Sequence, residues 1–325
     1  MLFNKNENGQ AELKELLGFL YAGDEFANIK TDIELAEETI IEYIGQPVYD
    51  RAQTYYDNPE PTSELNEKLV KHIQLPVAYY GYHAFAAHTD VSHSQDGRKV
   101  LIDPENEKMA WEWMIRRDDD AILNKAHKTT DRLIAFLEKN EDNIAEWKNS
   151  DAQKAARALF INTAQLFDSI FPIDNSRRFF IKILPFIREV ERKHILPVLG
   201  RDRFEDIKAA LQSGDFEDYE DLLSLIRVPL AYLTIGTALR RLSVTLLPNG
   251  IFQEYESERL TQKARQPVAT DVRREIAQAI KADGMHELEN LQKEISRLDA
   301  EAAGETFTPD DPDEHIDPDA TIFRL

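Results

Sequence analysis

Leu75-Pro76-Val77-Ala78-Tyr79 and Val228-Pro229-Leu230-Ala231-Tyr232 are two versions of one segment, and this pair decides the fold. Val228 follows Leu75 by 153 positions, and the same offset, kept without gaps, pairs Val91 with Val244 and Gly97 with Gly250. Five of the 23 positions in these two windows are identical. Upstream, Ile40-Ile41-Glu42-Tyr43-Ile44-Gly45 parallels Ile195-Leu196-Pro197-Val198-Leu199-Gly200 at an offset of 155, with a shorter linker absorbing the difference. Self-similarity at a fixed spacing marks repeated structural units, so the chain reads as a tandem duplication.

Within each copy the pattern is helical. From Asp32 to Ile44 the apolar residues Ile33, Leu35, Ala36, Ile40, Ile41 and Ile44 recur mainly at spacings of three and four, and Gly45 supplies a stop. Pro76 and Pro229 are read as helix starts, because a proline loses nothing in a first turn whose N–H groups have no partner. Asp96-Gly97 and Asn249-Gly250 read as two-residue hairpin turns, since both residues tolerate positive φ. Asp103-Pro104 with Glu107 predicts a capped helix running through Trp111, Ile115, Ile122, Leu133 and Leu137 toward Asn140, broken near Asp118-Asp119-Asp120. Further helices are predicted at 152–170, 176–196, 204–212, 217–242 and 268–302, with Pro185 and Pro229 kinking or splitting two of them. The predicted architecture is all-α: two tandem helical-bundle repeats, 1–150 and 151–302, each carrying a small β-hairpin. Two copies are too few for a solenoid, so they are expected to pack on each other or on neighbouring subunits. The segment 303–325 is different. Its prolines and acidic residues leave too little apolar surface to fold alone, and it is read as a flexible acidic tail.

Composition narrows the function. The 325 residues contain no cysteine, which removes disulfides, thiolate-bound zinc, iron–sulfur clusters and a cysteine nucleophile together. Sixty acidic against 39 basic side chains give a net charge of −21, a surface that repels phosphate backbones, so sequence-specific nucleic-acid binding is not expected. Arg227, Arg240 and Arg241 interrupt the apolar window from Leu225 to Leu247, which argues against a membrane span, and the N-terminal residues lack signal-peptide character. A cytoplasmic location in a bacterial host, or a virion, is the expectation.

No phosphate loop, dinucleotide fingerprint, nucleophile elbow or zinc-protease helix occurs, so no catalytic residue and no cofactor are predicted. His83, His88, Asp90 and His93 are suitable metal ligands in type. Their spacing divides them between helix faces, however, and the second copy does not keep them; no metal site is assigned. Arg116-Arg117-Asp118-Asp119-Asp120 reads as a solvated helix face, and Asp310, Asp311, Asp313, Glu314, Asp317 and Asp319 lack the glycine-bearing loop of a calcium site. Tyr79, Tyr80, Tyr82 and Phe85 fit a core, a ligand groove or an interface, with core the commoner role; Trp147 is a candidate core residue, whereas Trp111 and Trp113 fit either core or interface. The tail ends in an apolar tip, and Ile322, Phe323 and Leu325 are the candidate partner-docking residues, with the acidic stretch as spacer.

The stretch 175–191, Asn-Ser-Arg-Arg-Phe-Phe-Ile-Lys-Ile-Leu-Pro-Phe-Ile-Arg-Glu-Val-Glu, followed by Ile195 to Gly200, resembles an uncharacterised family of two-repeat helical proteins encoded among prophage structural genes. Leu137-Glu138 with Trp147, and Val244 to Gly250, are similar to the same pattern at the close of each half. Each repeat also distantly resembles the head–tail connector proteins of tailed phages. The resemblance implies a non-enzymatic virion structural protein, a homo-oligomer contacting other virion proteins on the portal or tail side. A helical scaffold unrelated to virions is the alternative, and an enzyme with an unrecognised site the third reading.

Overall fold

The computed structural model describes residues 1–18, 25–60, 63–89, 92–94, 97–99, 111–242, 252–256, 263–267 and 270–304. After a 3-10 turn at Lys5–Glu7 come α1 (Gly9–Leu17), α2 (Phe26–Ile44), α3 (Gln46–Asp57) and α4 (Glu64–Thr89). A short strand pair, β1 (Ser92–Ser94) and β2 (Gly97–Lys99), precedes α5 (Glu112–Lys139), α6 (Ala145–Lys148) and α7 (Asp151–Arg157). The second half runs through α8 (Ala164–Asp168), α9 (Arg177–Val190), a π turn at Glu191–Ile195, α10 (Leu196–Leu199), α11 (Arg201–Ser213) and α12 (Glu220–Arg241). The strands β3 (Phe252–Glu256) and β4 (Lys263–Pro267) follow, and then α13 (Thr270–Ala303). Contacts divide the chain into two compact units that interleave in sequence and do not follow the linear halves 1–150 and 151–302. One comprises Met1–Arg157, Asn162–Leu184 and Leu242–Thr270, the other Ala158–Ile161, Pro185–Arg241 and Asp271–Leu325.

In the first unit α4 is the central helix, contacted by α1, α2, α3 and α5. Leu13, Ile33, Ile40, Leu69, Ile73, Leu133 and Trp147 are fully buried around it. Gly81 permits the approach of α2, because a Cβ there would come within 2.5 Å of Ile33 Cδ1. In the second unit α12 buries Leu223, Ile226, Leu230, Leu233 and Leu239, and α13 contributes Ala277, Leu291 and Ile295. A Cβ on Gly236 would lie 3.2 Å from the Ala277 carbonyl, and one on Gly284 3.0 Å from Leu233 Cγ, so small residues on both helices set their separation. By length and composition the helical segment Glu217–Arg241 would suffice to cross a membrane, yet 61% of its apolar window is buried inside the protein. Its apolarity is used against its own unit.

Several sequence expectations are corrected. Pro76 and Pro229 do not start helices: both lie in the middle of continuous ones, α4 and α12, as Pro185 does in α9. A mid-helix proline forfeits a backbone hydrogen bond and costs about 3 kcal/mol. Burial of Pro76 with Val77, and of Pro229 with Leu230, offsets this, because one fully buried aliphatic side chain contributes about 1.5–3 kcal/mol. The break expected at Asp118-Asp119-Asp120 is absent, and α5 is continuous from Glu112; the predicted cap at Asp103 lies outside the described residues. The β-hairpin expectation is not supported either. Gly97 sits opposite Ser94 within the first strand pair rather than in its turn, and the second pair lies beyond Asn249-Gly250, which fall outside the described residues. The pairs also differ in length and do not correspond at the 153 offset, since an Asn-Gly signal is local and does not dictate where flanking strands find register.

The repeat is visible in backbone geometry. Gly45 has φ 83° and ψ 149°, and Gly200 has φ 74° and ψ 161°, a region open in practice only to glycine. The N–H of Gly45 donates to the Ile41 carbonyl at 2.7 Å and that of Gly200 to Leu196 at 3.0 Å. Each glycine then accepts the first bond of the next helix, from Tyr49 and Phe204 respectively.

A second correspondence holds a short strap in each copy. Glu37 on α2, 6% exposed, accepts the Leu2 N–H at 2.7 Å, while Gln74 Nε2 donates to the Leu2 carbonyl at 2.6 Å. Glu191, 3% exposed, accepts the Phe160 N–H at 2.6 Å, and Arg227 Nε donates to the Phe160 carbonyl at 3.0 Å. Gln74 and Arg227 are 153 positions apart, so the same position of the proline-bearing helix meets the strap carbonyl in both copies. This is why the single helix expected at 152–170 is two pieces: Phe160 gives both its backbone groups to side chains rather than to a helix. Glu37 precedes Gly45 by eight residues and Glu191 precedes Gly200 by nine, and the extra residue is absorbed by the π turn that begins at Glu191.

Lys208 completes the second clamp. Its Nζ lies 2.7 Å from Glu191 Oε2, 2.6 Å from the Ala158 carbonyl and 3.8 Å from the Phe160 ring centroid. Burial pushes Glu191 above the ordinary carboxylate value and Lys208 below the ordinary amine value, each opposed by its partner's charge. The equivalent of Lys208 at offset 155 is Gln53, whose Oε1 accepts from the Met1 nitrogen at 2.8 Å.

Two stability predictions follow from this geometry. Gly200→Ala forces a Cβ into a positive-φ conformation with nothing within 4 Å to clash, so the loss is purely backbone strain, about 1–3 kcal/mol by urea denaturation. Glu191→Gln leaves Lys208 buried without its counter-charge and should cost about 3–5 kcal/mol, whereas Glu191→Gln with Lys208→Met should recover part of it; a double variant no more stable than the single would refute a paired role.

Candidate functional site

Three places in the described residues combine polar or exposed groups in a way that packing alone does not require. The first is a buried polar cluster in the first unit. The carboxylate of Asp131 on α5 accepts the Arg178 N–H at 2.7 Å and the Ser176 hydroxyl at 3.3 Å, so a side chain from one helix caps the start of α9. Arg177 Nε donates to Glu138 at 2.6 Å alongside. Burial raises Asp131 above the usual carboxylate value, with the Arg178 bond and charge opposing. Arg178 is 4% exposed, and its Nε has no hydrogen-bond partner among the described residues. Next to it, burial pushes Tyr80 up to about 12 and pulls His127 down to about 4, with the charges of Arg178 and His83 adding to the second shift. The Tyr80 and His127 rings stand 6.0 Å apart. Asp131 is committed to the cap, and the cluster is read as an ordering device for α9.

The second place is a cationic cleft of about 210 Å³ in the second unit, between the end of α9 with the π turn, α12 and α13. Lys193, His194, Arg240, Arg241 and Lys281 line it, together with a single carboxylate, Glu189. Arg241 holds Glu189 in a two-pronged ion pair, one prong at 2.9 Å. Burial lowers His194 below the usual imidazole value, and the charges of Lys193 and Lys281 lower it further. Arg188 and Arg192 continue the basic surface alongside. The third place is the start of α5, where Trp111, Trp113 and Met114 are 61%, 40% and 43% exposed.

The residues singled out from sequence are distributed as follows. His83 and His88 lie on α4, whereas Asp90 and the side chain of His93 are outside the described residues. Among the described residues no group of three or more His, Asp or Glu is placed to share a metal ion. Trp147 and Tyr79 are buried, and Tyr80, Tyr82 and Phe85 pack partly buried against the same core. Arg116 pairs with Glu112 one turn away at 2.7 Å, as a solvated face would. The docking candidates Ile322, Phe323 and Leu325, and the acidic run before them, lie outside the described residues. Sequence reasoning missed the cationic cleft because its members come from three separated segments. The clamp residues carried one readable signal, the offset of 153 between Gln74 and Arg227.

Residues 40–157 and 195–300, together more than half of the chain, match a family described as a family of unknown function (DUF6712). The two matched segments correspond to the two copies. No curated protein and no solved structure matches the chain.

His127 yields a pH prediction. Its folded-state value of about 4 lies below the unfolded 6.5, so on acidification the unfolded chain takes up a proton first and stability falls between about pH 6.5 and 4. Glu37, Asp131 and Glu191 are raised by burial and act with the opposite sign, so the comparison must be with a variant. On going from pH 7 to pH 4.5 the urea midpoint of His127→Phe should fall less, or rise more, than that of the parent; an equal change in both would show that His127 is not responsible.

Proposed function

The chain belongs to this family of unknown function, DUF6712, through both of its halves, and we propose that it is a non-catalytic structural adaptor of a phage or prophage particle, of the head–tail connector kind, that works by self-association. The observation that carries the reading is the apolar end of α5. Trp and Met are the residue types most enriched at protein interfaces, and here two tryptophans and a methionine stand in solvent on a chain otherwise rich in charge. Two features favour a second copy of the chain as the partner. Arg116 and Asp120 stand one turn apart on the same side of α5, so two antiparallel copies of that turn would set an arginine against an aspartate, as a self-complementary contact requires. The net charge of −21 also suits a ring around sliding DNA, since the wall repels phosphate and does not grip it.

The reading is tested by sedimentation velocity across a concentration range. The parent chain should form a discrete oligomer, and Trp111→Ala with Trp113→Ala should raise its dissociation constant roughly tenfold or more while leaving helicity unchanged, as expected for exposed aromatic anchors. A parent chain that stays monomeric at every concentration overturns the self-association reading. An oligomer indifferent to both substitutions moves the interface elsewhere.

A further inference from the structure

We propose that the cationic cleft of the second unit is the docking site for the chain's own acidic segment, Asp313 to Asp319. The cleft is anomalous for this protein. Acidic residues outnumber basic ones 60 to 39 overall, yet Lys193, Arg240, Arg241 and Lys281 converge on one small cavity with only Glu189 among them. Lys193, Arg240 and Lys281 form no ion pair among the described residues. Like charges gathered around one carboxylate repel one another, and the charges of Lys193 and Lys281 add to the lowering of His194 that burial begins and Glu189 opposes. An anionic partner removes that repulsion.

Three observations select a carboxylate-bearing peptide, and this one in particular. Arg241 meets the carboxylate of Glu189 with both prongs, so a carboxylate is already the anion this wall of the cleft accommodates. The sequence supplies Asp313, Glu314, Asp317 and Asp319, with Pro312 before them and Pro318 between the last two, which hold a chain extended and reduce the ordering loss on binding. Finally, the segment is tethered close by. At 1.5 Å per helical residue, Lys281 lies about 33 Å from the end of α13 at Ala303, and an extended chain covers that distance in about ten residues, by Asp313. Individual exposed ion pairs are weak, so a free peptide of this composition would bind poorly, but a tethered one acts at an effective concentration in the millimolar range. A nucleic acid would have to approach against the charge of the whole molecule. The acidic stretch is then a ligand in its own right and more than a spacer for the apolar tip, and this holds whether or not the chain is a virion protein.

The test is zero-length carbodiimide cross-linking of the full chain at low ionic strength, read by peptide mass spectrometry. Carboxylates of Asp313 to Asp319 should couple predominantly to Lys193 and Lys281, in a monomer band if the segment folds back and in an oligomer band if it crosses to a neighbour. Raising the salt to about 0.5 M should reduce the yield about tenfold, because the screening length falls to a few ångströms. Arg240→Ala should cut it several-fold, although Arg240 is not itself cross-linked, which separates binding in the cleft from mere lysine reactivity. Coupling spread equally to Lys68 and Lys71 on α4, or a yield indifferent to both salt and Arg240→Ala, overturns the proposal. So does protection of Lys193 and Lys281 from acetylation by inorganic pyrophosphate with no cross-link to the segment, which would make the cleft a phosphate site.

Discussion

Each copy of the repeat is organised around a buried glutamate that holds a strap of extended chain. A carboxylate placed out of water costs several kcal/mol unless its lone pairs are met, and Glu37 and Glu191 meet theirs with the backbone N–H of Leu2 and Phe160. The strap is equally constrained, because its carbonyl is taken by Gln74 or Arg227 from the proline-bearing helix. One interaction therefore ties three segments that are distant in sequence: the strap, the helix ending at the invariant-geometry glycine, and the central helix. The second copy carries one more residue between its glutamate and its glycine, and the helix takes a π turn so that Glu191 still faces the strap. The clamp is kept and the helix yields.

From this constraint the positions of the other features follow. With the strap fixed on one side of α12, its other side is left to α13, whose approach Gly236 and Gly284 permit. The π turn carries Lys193 and His194 to the same cavity as Arg240, Arg241 and Lys281. The cationic cleft is thus assembled next to the clamp in the copy where the helix is distorted. In the first copy, at offset 155, Gln53 replaces Lys208 and the charge facing Glu37 is the Met1 ammonium at 4.0 Å. The same architecture is satisfied by different chemistry, which is how duplicated units diverge without losing their fold.

Much of the architecture was legible in the residues. Gly45 and Gly200 announced a shared backbone position because only glycine adopts it cheaply, and the apolar spacing picked out the buried Ile33, Ala36, Ile40 and Ile44 of α2 but also Leu35, which is 56% exposed. The prolines misled for an identifiable reason. Position within a helix is a matter of what surrounds it, and a proline that reads as a start from its neighbours alone is tolerated mid-helix once both flanking turns are buried. The Asp96-Gly97 signal misled likewise, since Gly97 sits in a strand opposite Ser94, and strand register is not a local property. Trp147 reads as core and is fully buried, whereas Trp111 fits core or interface from sequence and only the packing of its unit leaves it 61% exposed.

By itself the sequence determined the helical character, the duplication and its offset, the lack of thiol chemistry and the acidic balance, all of which depend on composition or on residues a few positions apart. Tertiary structure alone decided that Glu37 and Glu191 face equivalent straps, that α9 runs on through Pro185, and that cations from α12, α13 and the π turn converge on one cleft. The physical reason is the same throughout. Hydrophobic spacing and backbone preference are short-range, whereas the partner of a buried charge is chosen by which segments are brought together, and that is settled only when the whole core closes.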